Sequence, residues 1–308
     1  MLEEPLPHSI LSLPAPAKIN RYLHITGRRA DGYHLLDTEF ELIDLCDTVQ
    51  LRLRDDGQLV LHTPIAGLPD AQHLAMRAAQ ALKTLSKSSL GADIWVEKRI
   101  PAGAGLGGGS SDAATTLMGL NTLWGCGLST LDLQALGLTL GADVPFFCSQ
   151  LGRAAARGVG ERLQALPYQP TAYVLIYPNC HVSTPAVFKA AAALRLAQAK
   201  HKSGFDTAVT PSYNALQAAA VSIAPAISLA LEAVHNIESG GLGIDIVRMS
   251  GSGSAVFRAL AAQAGETLAQ QLAKAIAQKN AVQALPAAQN WQVWGLTNLP
   301  VHPIQPII

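Results

Sequence analysis

Pro101-Ala-Gly-Ala-Gly-Leu-Gly-Gly-Gly-Ser-Ser-Asp112 is the most chemically suggestive stretch of the chain. Gly103, Gly105, Gly107, Gly108 and Gly109 crowd into it, and Ser110 and Ser111 add hydroxyl donors. Glycines let backbone N–H groups converge on one point with no Cβ in the way. A strand expected at 92–100 enters the run and a helix leaves it, so a helix N-terminus adds roughly half a positive charge. A polyphosphate is the natural guest. Competing readings of the same residues are weaker. The GxxxxGK[ST] loop needs a lysine after the glycines, and none is present. Gly103-x-Gly105-x-x-Gly108 matches GxGxxG, but a dinucleotide fold carries that motif in its opening unit, with an acid ~20 positions on. Here the run lies a third of the way along the chain, starts at Pro101 and has only Asp132 loosely in range. A plain helix-packing glycine turn would not need Ser-Ser and a capped helix as well.

Other candidates lie outside this run. Asp143, in Gly141-Ala-Asp-Val-Pro-Phe-Phe147, reads on spacing alone as the cap of a helix starting at Val144-Pro145. Lys18 sits on an expected strand, 17–25, and either snorkels to solvent or faces an anion. Period two places Lys18, Asn20, Tyr22 and His24 on one face of that strand, with Arg21 spoiling the apolar side. Tyr33 and His34 follow the Asp31-Gly32 turn and could be a packed aromatic pair. Gly251 and Gly253 lie in a second glycine loop, Ser250–Ser254, which reads on its own as a tight turn into a strand.

The elements that must position these groups follow from periodicity. Strands are expected over 17–25, 40–53, 92–100 and 173–177, and helices over 70–86, from an N-cap at Ser110 or Ser111, and over 131–138. An Ala-rich helical region follows, broken at Pro211, Pro225 and Gly240–Gly243. Strands come first and helices with returning strands later, which predicts an α+β protein with domains at 1–168 and 169–308. Hydrophobic residues make up 49% of the 308, enough to bury a sizeable core. Lys+Arg and Asp+Glu are both 22, so no overall field recruits nucleic acid or anionic lipid. The four cysteines form no CxxC and fit a reducing compartment better than a disulfide framework. Residues 207–231 lack charge but are interrupted by Pro211 and Pro225, so helices of the core are expected there rather than a membrane span. The N-terminus lacks the basic start and apolar run of a secretory signal, and a cytoplasmic protein is expected.

At the glycine run the sequence resembles the GHMP kinases, whose nucleotide motif has the form Pro-x-x-x-Gly-Leu-Gly-Ser/Gly-Ser/Gly-Ser-Ala/Ser. Further landmarks follow in the family's order. They are Pro16-Ala-Lys-x-Asn20, Gly27-x-Arg29-x-Asp31-Gly-Tyr-His34, Leu140-Gly-Ala-Asp-Val-Pro-Phe-Phe147 and Met249-Ser-Gly-Ser-Gly-Ser-Ala-Val-Phe257. They resemble most the branch whose acceptor is a cytidine diphosphate derivative of methylerythritol. The resemblance implies a two-domain GHMP kinase fold, with a ribosomal-protein-like N-terminal domain, an α+β C-terminal domain and the site in the cleft between them. It implies transfer of phosphate from ATP, with Mg²⁺, to the acceptor's 2-hydroxyl on the non-mevalonate route to isoprenoids.

The same resemblance implies roles. Asp143 is the expected base, taking the hydroxyl proton as the phosphoryl group transfers. Lys18 is its expected cationic partner, and Asn20 is expected to bind the acceptor or orient Lys18. Lys98 and Pro101, Ala102, Gly103, Ala104, Gly105, Leu106, Gly107, Gly108, Gly109, Ser110 and Ser111 are expected to hold ATP. Tyr33 is expected to stack on cytosine, His34 to bond its edge and Phe188 to cover its other face, with Thr184 nearby. Gly251 and Gly253 are expected at the acceptor's phosphate. No protein ligand for Mg²⁺ is assigned; Asp112 sits where a helix-start acid is favoured in any case. One departure from the family pattern, Asn214-Ala-Leu216, is expected to touch none of these residues. The alternatives are another GHMP alcohol kinase, of homoserine or mevalonate type, or a catalytically silent nucleotide-binding regulator. Intact Lys18 and Asp143 argue against the regulator. A monomer or homodimer is expected, with no nucleic-acid or membrane partner.

Overall fold

A long antiparallel hairpin, β1 (Leu11–Arg28) and β2 (His34–Arg54), forms the spine of the computed structural model. The structure describes residues 9–201, 213–236, 243–260, 267, 269–275 and 290–304. The other edge of β2 is shared by β4 (Gly91–Glu97) at one end and β5 (Arg153–Gly158) at the other. β3 (Leu59–Leu61) joins β4, and β6 (Arg162–Ala165) joins β5, completing a six-stranded sheet. Helices α1 (Leu74–Ser86), α2 (Gly108–Leu123), α3 (Thr130–Leu138) and α4 (Val144–Cys148) belong to the same half of the chain. The second sheet is four-stranded and antiparallel, ordered β10 (Gln292–Thr297), β7 (Ala172–Tyr177), β9 (Val256–Leu260), β8 (Gly243–Met249). Helices α5 (Thr184–His201), α6 (Gln217–Ile223) and α7 (Ala226–His235) accompany it. The arrangement is α+β, as the sequence predicts. Among the described residues no helix is long and apolar enough to cross a membrane. The expected breaks at Pro211 and at Gly240 and Gly241 lie outside the described residues.

β7 shows why the two sheets form one body. All six residues of Ala-Tyr-Val-Leu-Ile-Tyr are buried, so both faces of the strand meet protein. Ala172, Val174 and Ile176 pack with Val187 of α5, Ala219 of α6 and Val234 of α7. Tyr173, Leu175 and Tyr177 turn the other way and pack with Ala17 and Ile19 of β1 and Ile43 and Leu45 of β2. The period-two rule holds for each face, and a continuous apolar run is what such a strand requires. The chain then returns to its first half. Ile43 bridges Asn298 and Leu151 bridges Val301, while Leu299 and Ile304 pack on the core of the first sheet.

The expected strand at 17–25 is real but longer, and its faces differ from the simple alternation. Asn20 stands opposite Phe40 whereas Tyr22 stands opposite Glu39, so Arg21 is an extra residue at a β-bulge. One added residue flips the parity of everything after it. Lys18 and Asn20 therefore share a face, but Tyr22 and His24 lie on the opposite one. The Arg21 side chain is largely buried. Its guanidinium reaches Glu39 at 3.1 Å and Glu41 at 2.9 Å in a polar seam between the sheets.

The start of α2 also differs from expectation. The N-cap is Gly107, in the left-handed region at φ 73°, with no side-chain cap, and Ser111 N–H already donates to Gly107 O at 2.9 Å. Ser110 and Ser111 are first-turn residues, not caps. A glycine can make the left-handed entry directly from the loop, so the helix begins before a serine could cap it. Residues 70–86 likewise divide into a short 3₁₀ turn at Asp70–Gln72 and α1, with the His73 side chain capping α1 by accepting from Ala75 N–H.

Glu41 is fully buried and is the acceptor at the centre of the seam. It accepts from Arg21, from the Tyr173 hydroxyl and from Asn298 Nδ2 at 2.7 Å. Burial and the adjacent Glu41 charge hold the Tyr173 hydroxyl well above its ordinary pKa, so it remains a donor. Glu41→Ala strands these donors. It should lower the unfolding free energy by about 3–5 kcal/mol, measured by urea titration.

Candidate active site

Gly103, Gly105 and Gly107 have φ of 67°, 75° and 73°, and between them Ala104 and Leu106 are each 1% exposed. The loop alternates: left-handed glycines turn the backbone while the intervening side chains sink into the core between the sheets. This anchors the loop by apolar packing. Gly105 has no room for a side chain. A Cβ there would lie 2.2 Å from Ser250 O.

That contact joins the two glycine loops. Ser250 Oγ donates to Gly105 O at 2.9 Å and accepts from Asn20 N–H at 3.2 Å. Ala255 N–H donates to Ala104 O at 3.0 Å, and Lys18 N–H to Leu106 O at 2.9 Å. Strand β1, the first loop and the second loop thus meet backbone to backbone. Asn214 steadies the second loop, donating from Nδ2 to Met249 O at 2.7 Å and Gly251 O at 2.8 Å. The family departure at 214–216 is therefore not silent, because Asn214 holds a loop that carries Gly251 and Gly253.

At this junction Lys18 Nζ lies 3.3 Å from Asp143 Oδ2, with side-chain exposures of 4% and 31%. Lys18 also donates to Asn20 Oδ1 at 2.6 Å, and Asn20 Nδ2 donates to Thr38 Oγ1 at 2.8 Å. Asp143 does occupy the N-cap position of α4, but its carboxylate makes no cap hydrogen bond. Pro145 in the first turn lowers the demand for a cap, since it has no N–H. The carboxylate is left to face Lys18. Beside the pair, a Cβ on Gly107 would be 3.1 Å from Lys18 Cγ, and one on Gly141 would be 3.6 Å from Ser110 Oγ. The cation, the carboxylate and the glycine loop therefore occupy one small region.

Lys98 is placed differently from Lys18. Its ammonium bonds Asp47 and, at 2.6 Å, Asp112 Oδ2, beneath the start of α2. Asp47 Oδ1 also accepts from Arg99 N–H at 2.5 Å and Ile100 N–H at 2.8 Å. Burial opposes the Lys98 charge, but the two carboxylates prevail and raise its pKa. Asp112 is pushed up to about 7 by burial, with Lys98 opposing and Asp47 reinforcing the rise. Asp47 has the richer set of donors. Ser111 Oγ, Asp112 Oδ1 and Thr115 Oγ1 are buried here without a hydrogen-bond partner. Ser111 is thus inside the helix packing, whereas Pro101 and Ser110 are half-buried and Ala102 is exposed. Gly108 and Gly109 lie against Ile100 and Leu74.

On the other side of the junction, His34 stacks on Phe188 with ring centroids 4.7 Å apart and planes at 20°. Thr184 Oγ1 and Ser252 Oγ are 2.7 Å apart, tying α5 to the second loop. Tyr33 stands apart at 62% exposure. Its backbone holds it, the N–H donating to Asp31 Oδ1 at 3.2 Å and the carbonyl accepting from Arg29 N–H at 2.7 Å. Sequence reasoning missed Ser250, Asp47, Thr38 and Asn214. Asp47 had nothing to set it apart, because β2 holds four other acids, Asp37, Glu39, Glu41 and Asp44. A lone serine or threonine carries none.

A polyphosphate-type loop backed by a lysine–carboxylate pair defines a class of small-molecule kinase. Residues 73–150 match the family model described as "GHMP kinases N terminal domain". The chain belongs to the 4-diphosphocytidyl-2-C-methyl-D-erythritol kinase family of this class. It is 41% identical to that kinase from Azoarcus sp. over 292 residues, 94% of this chain and 95% of the relative. It is 56% identical to the Chromobacterium violaceum kinase over 183 residues, 59% of this chain and 64% of that protein, just under two thirds of its length. A crystal structure titled 4-(cytidine 5'-diphospho)-2C-methyl-D-erythritol kinase superposes with a TM-score of 0.72 at 35% identity, covering 94% of this chain and 100% of that one.

Gly105→Ala imposes about 1–3 kcal/mol of backbone strain in addition to the clash with Ser250 O. Nucleotide affinity should fall by about tenfold or more, read by calorimetry. Asp112 gives a pH signature. Its folded pKa of about 7 is above the ordinary carboxylate value, so the folded state holds a proton that the unfolded chain releases. Its contribution to stability is full below about pH 4 and is lost as pH rises through about 7. Wild type should lose stability relative to Asp112→Asn between about pH 4 and 7, measured by denaturant midpoints.

Proposed function

We propose that this chain transfers the γ-phosphoryl group of ATP to the 2-hydroxyl of 4-diphosphocytidyl-2-C-methyl-D-erythritol, on the non-mevalonate route to isoprenoids. The observation that carries the mechanism is the Lys18–Asp143 pair beside Gly107 of the first glycine loop. Asp143 accepts the hydroxyl proton as the oxygen–phosphorus bond forms and the bridge to the β-phosphate breaks, releasing ADP. Lys18, fixed by Asn20, supplies positive charge where negative charge spreads over the transferring group. Its amine is directed by two acceptors, so it arrives oriented rather than mobile.

In this reading the Pro101–Ser111 segment holds the nucleotide's phosphates through the backbone N–H groups of its glycine run, while Lys98 acts from below by fixing the strand and helix that flank the loop. Asn20, Thr184, Gly251 and Gly253 line the acceptor side. His34 and Phe188 form the base platform, and exposed Tyr33 is free to close over a bound cytosine. Domains at 1–168 and 169–308 then carry nucleotide and acceptor on either side of the junction. Mg²⁺ comes with ATP. Among the described residues no group of three or more His, Cys, Asp or Glu could hold a metal, and Asp112 is committed to Lys98. The nucleotide's phosphates are the ion's natural ligands. The four free cysteines support a reducing, cytoplasmic setting, and a monomer or homodimer is the proposed working form.

The test is ADP release from Mg-ATP with a panel of acceptors: the cytidylyl substrate, its cytidine-free alcohol phosphate, homoserine and mevalonate. Turnover is expected with the cytidylyl substrate alone. Asp143→Asn should cut kcat by about 10²–10⁴-fold with little change in ligand affinity. Turnover of homoserine or mevalonate would overturn the acceptor assignment, and an active Asp143→Asn would overturn the base.

A further inference from the structure

His181 belongs to neither glycine loop, yet it touches the first of them. A Cβ built on Gly103 would lie 1.8 Å from His181 Nδ1 and 2.3 Å from its Cε1. The imidazole therefore occupies the space that a side chain at 103 would need. Its Nδ1–Cε1 edge is against the glycine, and the residue is exposed. The position is built rather than incidental. Asn179 takes a left-handed turn at φ 51°, a conformation that asparagine tolerates better than most residues. The Cys180 carbonyl then accepts from Ser254 Oγ, and Val182 Cγ2 lies 3.4 Å from where a Gly253 Cβ would be. Thr184 Oγ1 pairs with Ser252 Oγ at 2.7 Å. Residues 180–184 are thus fastened to the second loop at successive points, and the side chain that His181 sends to the first loop is an imidazole.

We propose that His181 is a binding residue for a diphosphate group at the junction of the two loops, an inference that rests on the kinase reading above. A ring with an N–H donor beside converging backbone N–H groups extends an oxyanion site, whether the imidazole is neutral or protonated. Both ligands of the proposed reaction carry a diphosphate, so the chemistry is shared and the source is decided by experiment.

The experiment is calorimetric titration of wild type, His181→Ala and His181→Leu with ADP, adenosine, CDP and cytidine. Leucine still covers Gly103, so it separates packing from hydrogen bonding. Both variants should lose about tenfold or more in affinity for one diphosphate and keep the affinity for its nucleoside. Loss confined to ADP assigns His181 to the phosphate donor, and loss confined to CDP assigns it to the acceptor. Equal weakening of nucleoside and diphosphate, or a leucine variant that binds both diphosphates like wild type, overturns the inference while leaving the kinase reading intact. A wild type that does not prefer either diphosphate to its nucleoside overturns the kinase reading, and this inference with it.

Discussion

The contact between Gly105 and Ser250 O is the constraint on which the site depends. Two loops from different halves of the chain approach so closely that no Cβ fits between them. Everything chemical is referred to that point. Lys18 is held to the first loop through its own N–H, Asn20 to the second through Ser250, and the two side chains bond each other. A displacement of either loop would move the Lys18 ammonium relative to the Asp143 carboxylate. In a reaction where positioning supplies much of the catalysis, displacements of about an ångström are costly.

The two lysines near the loop show how environment assigns roles to identical side chains. Lys98 faces two carboxylates under the start of α2, and its charge is spent on holding β4, β2 and α2 together. Lys18 has a single carboxylate at 3.3 Å, an amide oxygen, and the Phe40 ring at 5.1 Å from its Nζ. Its charge is matched by one carboxylate where that of Lys98 is matched by two. In the sequence both are lysines near strand ends. Only the partners brought by β2 and α2 distinguish them.

Much of the site was legible because its residues are clustered in sequence. The glycine run, Asp143 before Val-Pro and the Lys18-x-Asn20 pair each carry their own spacing, and the structure brings Lys18, Asn20, Asp143 and both glycine loops together. What escapes depends on geometry that no window of sequence contains. The bulge at Arg21 adds one residue to β1 and turns Tyr22 and His24 away from Lys18, a change that alternation cannot foresee. The start of α2 is misread because serine is the commoner cap, whereas a left-handed glycine makes the entry here. Asn214 reads as silent because its partners, Met249 O and Gly251 O, lie far along the chain and are backbone atoms. The α+β character and most elements of the first half follow from periodicity, since their apolar faces are regular. The alanine-rich second half gives weaker boundaries, because alanine favours a helix without marking a face.

The return of residues 298–304 to the first sheet has a consequence for how the protein is made. Leu42 N–H donates to Gly152 O, Leu299 N–H donates to Leu42 O, and His302 N–H donates to Gln150 O. The space over Gly152 is filled by the carbonyls of Leu299 and Pro300. A growing chain emerges from the ribosome in order, and its first half can collapse long before these residues exist. Until they arrive, Leu42 O and Gln150 O lack their partners and part of the core under Leu299 and Ile304 is uncovered. The half that folds first stays unsealed until residues 298–304 have been made, and that returning segment acts as its closing latch.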